Sequence, residues 1–268
     1  MLYPMSYCRF HHQDGDRYGL IENLRGEAVI TGTLAKAPNS FADFEYADKA
    51  EITLSTIRLL APAEPSKIVC IGRNYREHAK ELNHPVPTEP LFFLKPPSSL
   101  IGTGDEIRRP NRLSLRVDYE GELGVVIGKR CYRVAATDDV RPYILGYTCM
   151  NDVTARDLQE KDGQWTRAKG FDTFCPVGPV VIEGLDPWTG VGVQTRVNGQ
   201  VRQDGNTVDL LFPLDVLIRF ISQVVTLNPG DLIATGTPAG VGPLQPGDTV
   251  EVTVEGVGTL TNSVVNID

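Results

Sequence analysis

Residues 119–128 of this chain read YEGELGVVIG, an apolar run whose start carries two glutamates. The apolar part, residues 123–127, is typical of a long β-strand. Glu120 and Glu122 are two positions apart, so their side chains point to the same side of an extended chain. The stretch therefore predicts a strand of the core with two converging carboxylates at one end.

Two interpretations of this glutamate pair are open from spacing alone. Like charges held close together repel, and they persist where a cation lies between them or where one of them is protonated. Oxygen-only ligands favour a hard ion such as Mg²⁺, Mn²⁺ or Ca²⁺ over zinc. The alternative is a solvated strand edge without any ion. Gly121, between the two glutamates, is expected to loosen such a metal-binding loop.

Further strand signals lie on both sides of this stretch, and helices are few. A two-residue hairpin is predicted at Asn198-Gly199. Strands are predicted over residues 18–22, 27–30, 67–72 and 249–254, and helices over 74–82, with Asn74 as N-cap, and 214–225, after Pro213. The sequence therefore predicts a mainly β (α+β) fold. Residues 61–66, APAEPS, are interpreted as a linker between a small β-rich N-terminal domain, 1–66, and a main domain, 67–268.

Composition limits the classes of partner. The 268 residues carry a net charge of −8 and no run rich in lysine and arginine, so nucleic acid is not expected as a partner. The five scattered cysteines favour neither a disulfide framework nor structural zinc. No apolar run approaches the ~20 residues that span a bilayer, and residues 1–8 lack the features of a signal peptide. We expect a cytoplasmic, soluble protein without a membrane partner.

A histidine and a glutamate share one face of the helix predicted over residues 74–82. His78 and Glu81 are three positions apart, which makes them neighbours on a helix. A carboxylate beside an imidazole orients it and raises its basicity, as in a pair that activates water. An ordinary surface contact between the two side chains is the alternative.

Other candidate residues also have structural alternatives. Asp152 lies where a strand meets a short helix, and could act there as an N-cap. Lys169 is flanked by small residues and is alternatively a surface lysine. Arg156 could pair with Asp152 or Asp157. The glycine-rich residues 235–242 lack the phosphate-loop signature and no helix pattern follows them, so a tight turn is predicted there.

Six short motifs occur along the chain in a characteristic order. They are IGRNY at 71–75, FLKP at 93–96, YEGELG at 119–124, NDVTARD at 151–157, AKGFD at 168–172 and TGTPAGVG at 235–242. Each motif is weak alone, but six in order are specific. From Lys67 to the C-terminus the chain resembles the fumarylacetoacetate hydrolase superfamily, in particular its small acylpyruvate hydrolase and oxaloacetate decarboxylase branch.

The resemblance implies a fold, a metal and a set of site residues. The implied fold is a mixed β-sandwich roll, assembled as a homodimer; the small β-rich N-terminal domain precedes it. Mg²⁺ or Mn²⁺ is the implied cofactor, and Ca²⁺ also suits an oxygen-only set. The implied metal ligands are Glu120, Glu122 and Asp152; the implied catalytic residues are His78 and Glu81, on a lid helix, and Lys169; the implied substrate contacts are Arg73, Tyr75, Arg156, Gln159 and Thr237.

The activity that the resemblance implies is hydrolysis of a carbon–carbon bond in acylpyruvates, which are 2,4-diketo acids. The substrate is then a small α-keto acid, and oxaloacetate decarboxylation is expected at the same site because it passes through the same pyruvate enolate. An isomerase or tautomerase of 2-oxo enol diacids, and a hydrolase of sugar-derived diketo acids, are the alternatives. His78 and Glu81 favour the hydrolase over the isomerase. A non-catalytic metal-binding member is disfavoured because all the motif residues are present.

Overall fold

The computed structural model describes residues 5–24, 26–83 and 85–267. Residues 1–4, part of the segment searched for a targeting signal, lie outside the described residues. Strands dominate the described part of the chain. They are β1 Ser6–Phe10, β2 Arg17–Leu24, β3 Glu27–Leu34, β4 Asp48–Thr53, β5 Leu59–Leu60, β6 Ile68–Gly72, β7 Leu91–Lys95, β8 Leu100–Ile101, β9 Glu106–Arg109, β10 Val117–Tyr119, β11 Gly121–Ile127, β12 Ile144–Asn151, β13 Thr154–Ala155, β14 Cys175–Ile182, β15 Gly192–Val197, β16 Gln200–Asn206, β17 Leu232–Ala234, β18 Gly242–Pro243, β19 Thr249–Val254 and β20 Gly258–Asn266.

The α-helices are short and lie at the margins of the sheets. They are α1 Arg76–Glu81, α2 Arg156–Asp162, α3 Thr166–Lys169 and α4 Leu214–Val224. Short 3₁₀ helices lie at Phe41–Tyr46, Leu54–Thr56, Pro97–Ser99, Arg141–Tyr143 and Thr207–Asp209. No helix in the described ranges is long and apolar enough to cross a membrane.

One large sheet forms the backbone of the fold. Its strands follow the order β4-β3-β2-β1-β14-β12-β11-β17-β6-β7, with β5 paired to β1 and β8 paired to β14. Strand β1 pairs antiparallel with β14, where Tyr7 faces Val181. The predicted N-terminal and main domains therefore contribute to one continuous sheet. Their boundary at residue 66 stays a prediction.

Two smaller sheets complete the architecture and enclose the core. A five-stranded sheet has the order β16-β15-β19-β20-β9, and a three-stranded sheet has the order β13-β10-β18. The largest buried cluster joins residues of β11, such as Leu123 and Val125, to Val193 and Val252 of the five-stranded sheet. The predicted mainly β fold with packed sheets is confirmed.

The two sharpest local predictions are also confirmed. Helix α4 buries Leu214, Leu217, Ile218 and Ile221 on one side, and Pro213 occupies its N-cap position. The β15–β16 hairpin turns at Asn198 and Gly199, where φ is +52° and +76°. Positive φ at both turn residues is the requirement of a type I′ turn, which explains the asparagine-glycine pair.

The prediction that Asn74 caps a helix is wrong. Tyr75 occupies the N-cap position of α1, and the Asn74 side chain is fully buried. Its amide donates to the carbonyls of Phe212 and Thr235, at 3.1 and 2.8 Å, and its oxygen accepts from the Phe212 N–H at 2.9 Å. Asn74 therefore ties distant segments together, which no local pattern reveals.

Candidate active site

Three acidic residues converge where β11 and β12 lie side by side. Glu120 joins β10 to β11, Glu122 is the second residue of β11, and Asp152 follows directly after β12. The antiparallel register places Gly121 opposite Asn151. The Asp152 N–H donates to the Glu120 carbonyl at 2.8 Å, and the Glu120 N–H donates to Asn151 Oδ1 at 2.9 Å. One carboxylate oxygen from each acid lies within 4.8 Å of the others, and all three residues are buried.

Gly121 lets the chain between the two glutamates pack closely against the five-stranded sheet. Contrary to expectation, it does not loosen the metal-binding loop. A Cβ at this position would collide with Thr195 Oγ1 and lie 3.2 Å from the methyl carbons of Val252. Its N–H donates to Gln203 at 3.0 Å, and its carbonyl accepts from the Thr237 hydroxyl at 2.9 Å. The residue between the two glutamates is thus fixed by packing against the five-stranded sheet.

Three buried cations surround the acidic cluster. Lys169 Nζ lies 2.9 Å from Glu120 Oε2 and 2.6 Å from Asp152 Oδ2. Lys95 Nζ lies 2.6 Å from the other oxygen of Asp152. Lys169 is only 2% exposed, so the alternative of a surface lysine is wrong.

Arg156 also belongs to this cluster. Its guanidinium contacts Glu120 at 2.5 Å and Asp118 at 3.0 Å, and it donates to Gln159 at 2.6 Å. The alternative pairing with Asp152 or Asp157 is therefore not the one found in the structure. Asp118 was not singled out in the sequence, because nothing local separates it from an ordinary strand residue.

The two glutamates differ in proton affinity. Burial opposes ionisation of Glu120, but the charges of Lys169 and Arg156 outweigh burial and hold its pKa well below the ordinary value. Burial, reinforced by the charges of Asp152 and Glu120, raises the pKa of Glu122 well above its ordinary value. Burial alone would lower the pKa of Lys169, yet Asp152 and Glu120 raise it, so this lysine is charged at neutral pH.

The acidic cluster fits a hard divalent cation. Its donors are carboxylate oxygens only, the set that Mg²⁺ and Mn²⁺ prefer. The raised pKa of Glu122 records crowding of buried negative charge, which a cation between the carboxylates would relieve. The residues that would hold it are Glu120, Glu122 and Asp152, as the sequence resemblance implied.

His78 and Glu81 form the predicted contact on helix α1. His78 Nδ1 lies 3.1 Å from Glu81 Oε2, and the His78 side chain is 5% exposed. The Gly240 N–H donates to the other oxygen of Glu81 at 3.0 Å. Burial opposes ionisation of Glu81, but the bonds from His78 and Gly240 outweigh it and lower the pKa of Glu81. The glutamate therefore remains an anion that orients the imidazole.

Most of these groups line one cleft. Of the predicted site residues, Tyr75, Glu81 and Glu122 are absent from its walls. The Tyr75 hydroxyl is buried, with no hydrogen-bond partner in the described part of the chain. The walls are formed by Ile71, Gly72, Arg73, His78, Leu82, Phe93, Glu120, Asp152, Arg156, Gln159, Trp165, Lys169 and Thr237.

Besides Asp118, sequence reasoning assigned no role to Lys95 and Trp165. Lys95 lies in the FLKP motif, so the motif carried a signal although no role was assigned to it. Trp165 lines the cleft, but it belongs to none of the six motifs and stands in no recognisable pattern. Only the folded chain places its ring in the cleft that Glu120 and Asp152 also line.

Comparison with known proteins gives consistent matches over nearly the whole chain. A family model described as fumarylacetoacetate (FAA) hydrolase C-terminal matches residues 67–265, and one described as Rv2993c-like, N-terminal, matches residues 5–62. Protein Rv2993c of Mycobacterium tuberculosis is 51% identical over 97% of this chain and 98% of its own length. Oxaloacetate tautomerase YisK of Bacillus subtilis is 41% identical over 86% of this chain and 79% of its own length.

A solved structure is similar over nearly the same extent. The crystal structure of 5-carboxymethyl-2-hydroxymuconate delta-isomerase from Mycobacterium smegmatis superposes with a TM-score of 0.88 at 45% sequence identity. The match covers 98% of this chain and 100% of that chain. The predicted roll fold is therefore confirmed by a solved structure of similar sequence.

Proposed function

The chain belongs to the fumarylacetoacetate hydrolase family, and on that premise we propose that it is a keto–enol tautomerase of oxaloacetate or a similar 2-oxo dicarboxylic acid. One observation carries the proposal: His78, oriented by Glu81, lines the same cleft as Glu120, Asp152 and Lys169. A group that moves protons thus adjoins a cationic and acidic cluster suited to an α-keto acid. Two relatives named as a tautomerase and an isomerase support this class of reaction.

The cluster would stabilise the negative charge that develops on the substrate. Mg²⁺ or Mn²⁺, held by Glu120, Glu122 and Asp152, would supply Lewis-acid polarisation of the 2-oxo group. Lys169 uses two of its three N–H donors on Glu120 and Asp152, so one donor is left for the substrate. An ammonium fixed in place before the reaction stabilises a developing oxyanion without reorganisation.

His78 would move the proton. Its Nδ1–H is assigned as the donor to Glu81 because a carboxylate accepts, which leaves Nε2 to react. In the keto-to-enol direction, Nε2 removes a proton from carbon 3 of the substrate while the 2-oxygen takes up a proton from solvent. The imidazolium then returns its proton to solvent. The reverse sequence ketonises the enol, so atoms balance and no co-reactant is consumed.

The decisive assay follows the ultraviolet absorbance of enol-oxaloacetate in the presence of Mg²⁺. The protein is expected to accelerate ketonisation, and His78→Ala is expected to lower kcat by about 10²- to 10⁴-fold. His12→Ala is a matched control, because His12 contacts Asp14 and lies outside the walls of the cleft. Failure of the Mg²⁺- or Mn²⁺-loaded protein to accelerate ketonisation would overturn the proposal.

Hydrolysis of acylpyruvates is the second candidate, and the His78–Glu81 contact favours it too. His78 would activate a water that attacks the carbonyl at carbon 4. The bond between carbons 3 and 4 then breaks, releasing a carboxylic acid and the enolate of pyruvate, which is protonated at carbon 3. Oxaloacetate decarboxylation passes through the same enolate by loss of CO₂ and needs no attacking water.

A panel of substrates separates these reactions. Acetylpyruvate and fumarylpyruvate report hydrolysis, and pyruvate formation from oxaloacetate reports decarboxylation. If hydrolysis is the main reaction, His78→Ala should lose it far more than it loses decarboxylation, because only hydrolysis needs the activated water. Equal losses would remove the water-activating role.

A further inference from the structure

The cations of the cleft differ in whether the protein neutralises them. Lys169 and Arg156 are each bonded to carboxylates of the acidic cluster. Arg73 lines the same cleft, yet among the described residues no hydrogen bond or ion pair from its guanidinium to a protein acceptor is found. A partly exposed arginine without a carboxylate of the protein is free to take one from a ligand.

The backbone holds Arg73 in an unusual conformation at this place. It has φ of +58°, a region that a residue with a side chain rarely adopts and that costs energy. The residue follows directly after strand β6, which fixes the chain on one side. Strain of this kind, at a residue lining a cleft, is a common feature of ligand-binding positions.

An aromatic wall supports the guanidinium. Arg73 Cζ lies 6.0 Å from the centre of the Trp165 ring, within the range of a cation–π interaction. Trp165 in turn packs edge-on against Phe93, with ring centres 5.1 Å apart. A Cβ on Gly72 would lie 2.8 Å from the Trp165 ring, so glycine there makes room for the indole.

We propose that Arg73, supported by Trp165, is the subsite for the second carboxylate of a dicarboxylic 2-oxo acid, and that this subsite selects diacids over monoacids. The inference rests on the proposed function for the identity of the reacting end of the substrate. Arg73 would bind the carboxylate through its planar N–H fork, and Trp165 acts as a positioning residue that holds the fork. Gly72 contributes by leaving the space that the indole fills.

Ligand binding tests the subsite without any need for turnover. Calorimetry in the presence of Mg²⁺ would compare 2-oxoglutarate with 2-oxopentanoate, which has the same chain length but lacks the second carboxylate. The protein should bind the diacid more tightly. Arg73→Met should weaken diacid binding by about 10- to 100-fold and monoacid binding by less than about threefold, whereas Arg73→Lys should lose less than Arg73→Met.

Two further variants test the positioning role, and one serves as control. Trp165→Ala should weaken diacid binding by about 3- to 30-fold, and Gly72→Ala should act in the same direction by displacing the indole. Trp165→Phe keeps an aromatic ring and should lose less than Trp165→Ala. Arg76→Met is the matched control, because Arg76 is an exposed arginine on α1 outside the walls of the cleft.

The outcomes separate this inference from the proposed function. Equal affinity of the unaltered protein for the two acids, or equal loss of both acids in Arg73→Met, would overturn the subsite. A diacid preference that depends on Arg73 would support it even if enol-oxaloacetate is not ketonised. Circular dichroism and thermal unfolding of each variant confirm that the fold is retained before the affinities are compared.

Discussion

At the scale of single residues, the spacing of the two glutamates depends on the glycine between them. Gly121 lies where β11 packs against the five-stranded sheet, and Thr195 and Val252 occupy the space that a side chain would need. Both of its backbone polar groups are bonded to side chains, those of Gln203 and Thr237. A change at Gly121 would therefore displace backbone on which both carboxylates depend.

Gly121→Ala is expected to lower the free energy of unfolding by about 1–3 kcal/mol, because a methyl group would be forced into filled space. Urea denaturation measures the change. Gly192→Ala is the matched control, since a Cβ on Gly192 meets only the Glu255 side chain, at 3.3 Å. Similar losses in the two variants would contradict the packing argument.

Glu122→Gln tests the metal centre by removing one negative charge from the proposed ligand set. Glutamine preserves the shape and can still accept from the Gly236 N–H, so the fold should be retained. Metal affinity should fall by more than about 100-fold, and metal-dependent turnover should be lost with it. Calorimetric titration with Mn²⁺ measures the affinity, with Glu27→Gln, at an exposed strand end, as control. Unchanged affinity would remove Glu122 from the ligand set.

At the scale of elements, Asn74 joins the end of β6 to the segments before α4 and after β17. Its side chain makes bonds to Phe212 and Thr235. The residue after Thr235 is Gly236, whose N–H donates to Glu122 at 2.6 Å. The buried Asn74 amide thus links the elements that carry the cleft.

Asn74→Asp is expected to lower the free energy of unfolding by about 2–4 kcal/mol, because a carboxylate cannot donate to the carbonyls of Phe212 and Thr235. Thermal unfolding checks this. Asn23→Asp is the control: Asn23 is exposed and its oxygen accepts from the Gly26 N–H, a bond that aspartate keeps. A loss of unfolding free energy below that of the Asn23→Asp control would show that the Asn74 amide is replaceable.

At the scale of the whole molecule, the buried acidic cluster links stability, pH and metal. Burial and the charges of Asp152 and Glu120 raise the pKa of Glu122. At pH values between the ordinary pKa of a glutamate and the raised pKa of Glu122, the metal-free folded state therefore binds more protons than the unfolded state. Stability contributed by protonated Glu122 is therefore present at low pH and is lost as the pH rises through that interval.

The stabilisation by Mg²⁺ or Mn²⁺ is accordingly expected to grow with pH. A proton on Glu122 competes with the cation, so metal binding releases that proton. Metal binding is therefore stronger at a pH at which the Glu122 carboxylate is already ionised. Thermal unfolding with and without metal, at about pH 5 and about pH 8, measures this difference. A metal-induced rise in Tm that is larger at the lower pH would contradict the sign of the argument.

The sequence by itself determined those features that depend on neighbours along the chain. The apolar run of β11, the glutamate pair at its start, helix α4 and the Asn198-Gly199 turn follow from local periodicity and turn chemistry, and six ordered motifs indicated the family. These predictions hold because spacing along a strand or helix fixes which side chains share a face.

Only the tertiary structure decided which distant residues meet. The pairing of β11 with β12 brings Asp152 to Glu120, and long-range packing turns Lys169 from a possible surface lysine into a buried one. The same packing makes Asn74 a buried link between segments instead of a helix cap. It also places Arg73 beside Trp165, with no carboxylate partner among the described residues. The physical reason is that burial and charge pairing are properties of contacts between segments, and the local pattern around each residue contains no record of those contacts.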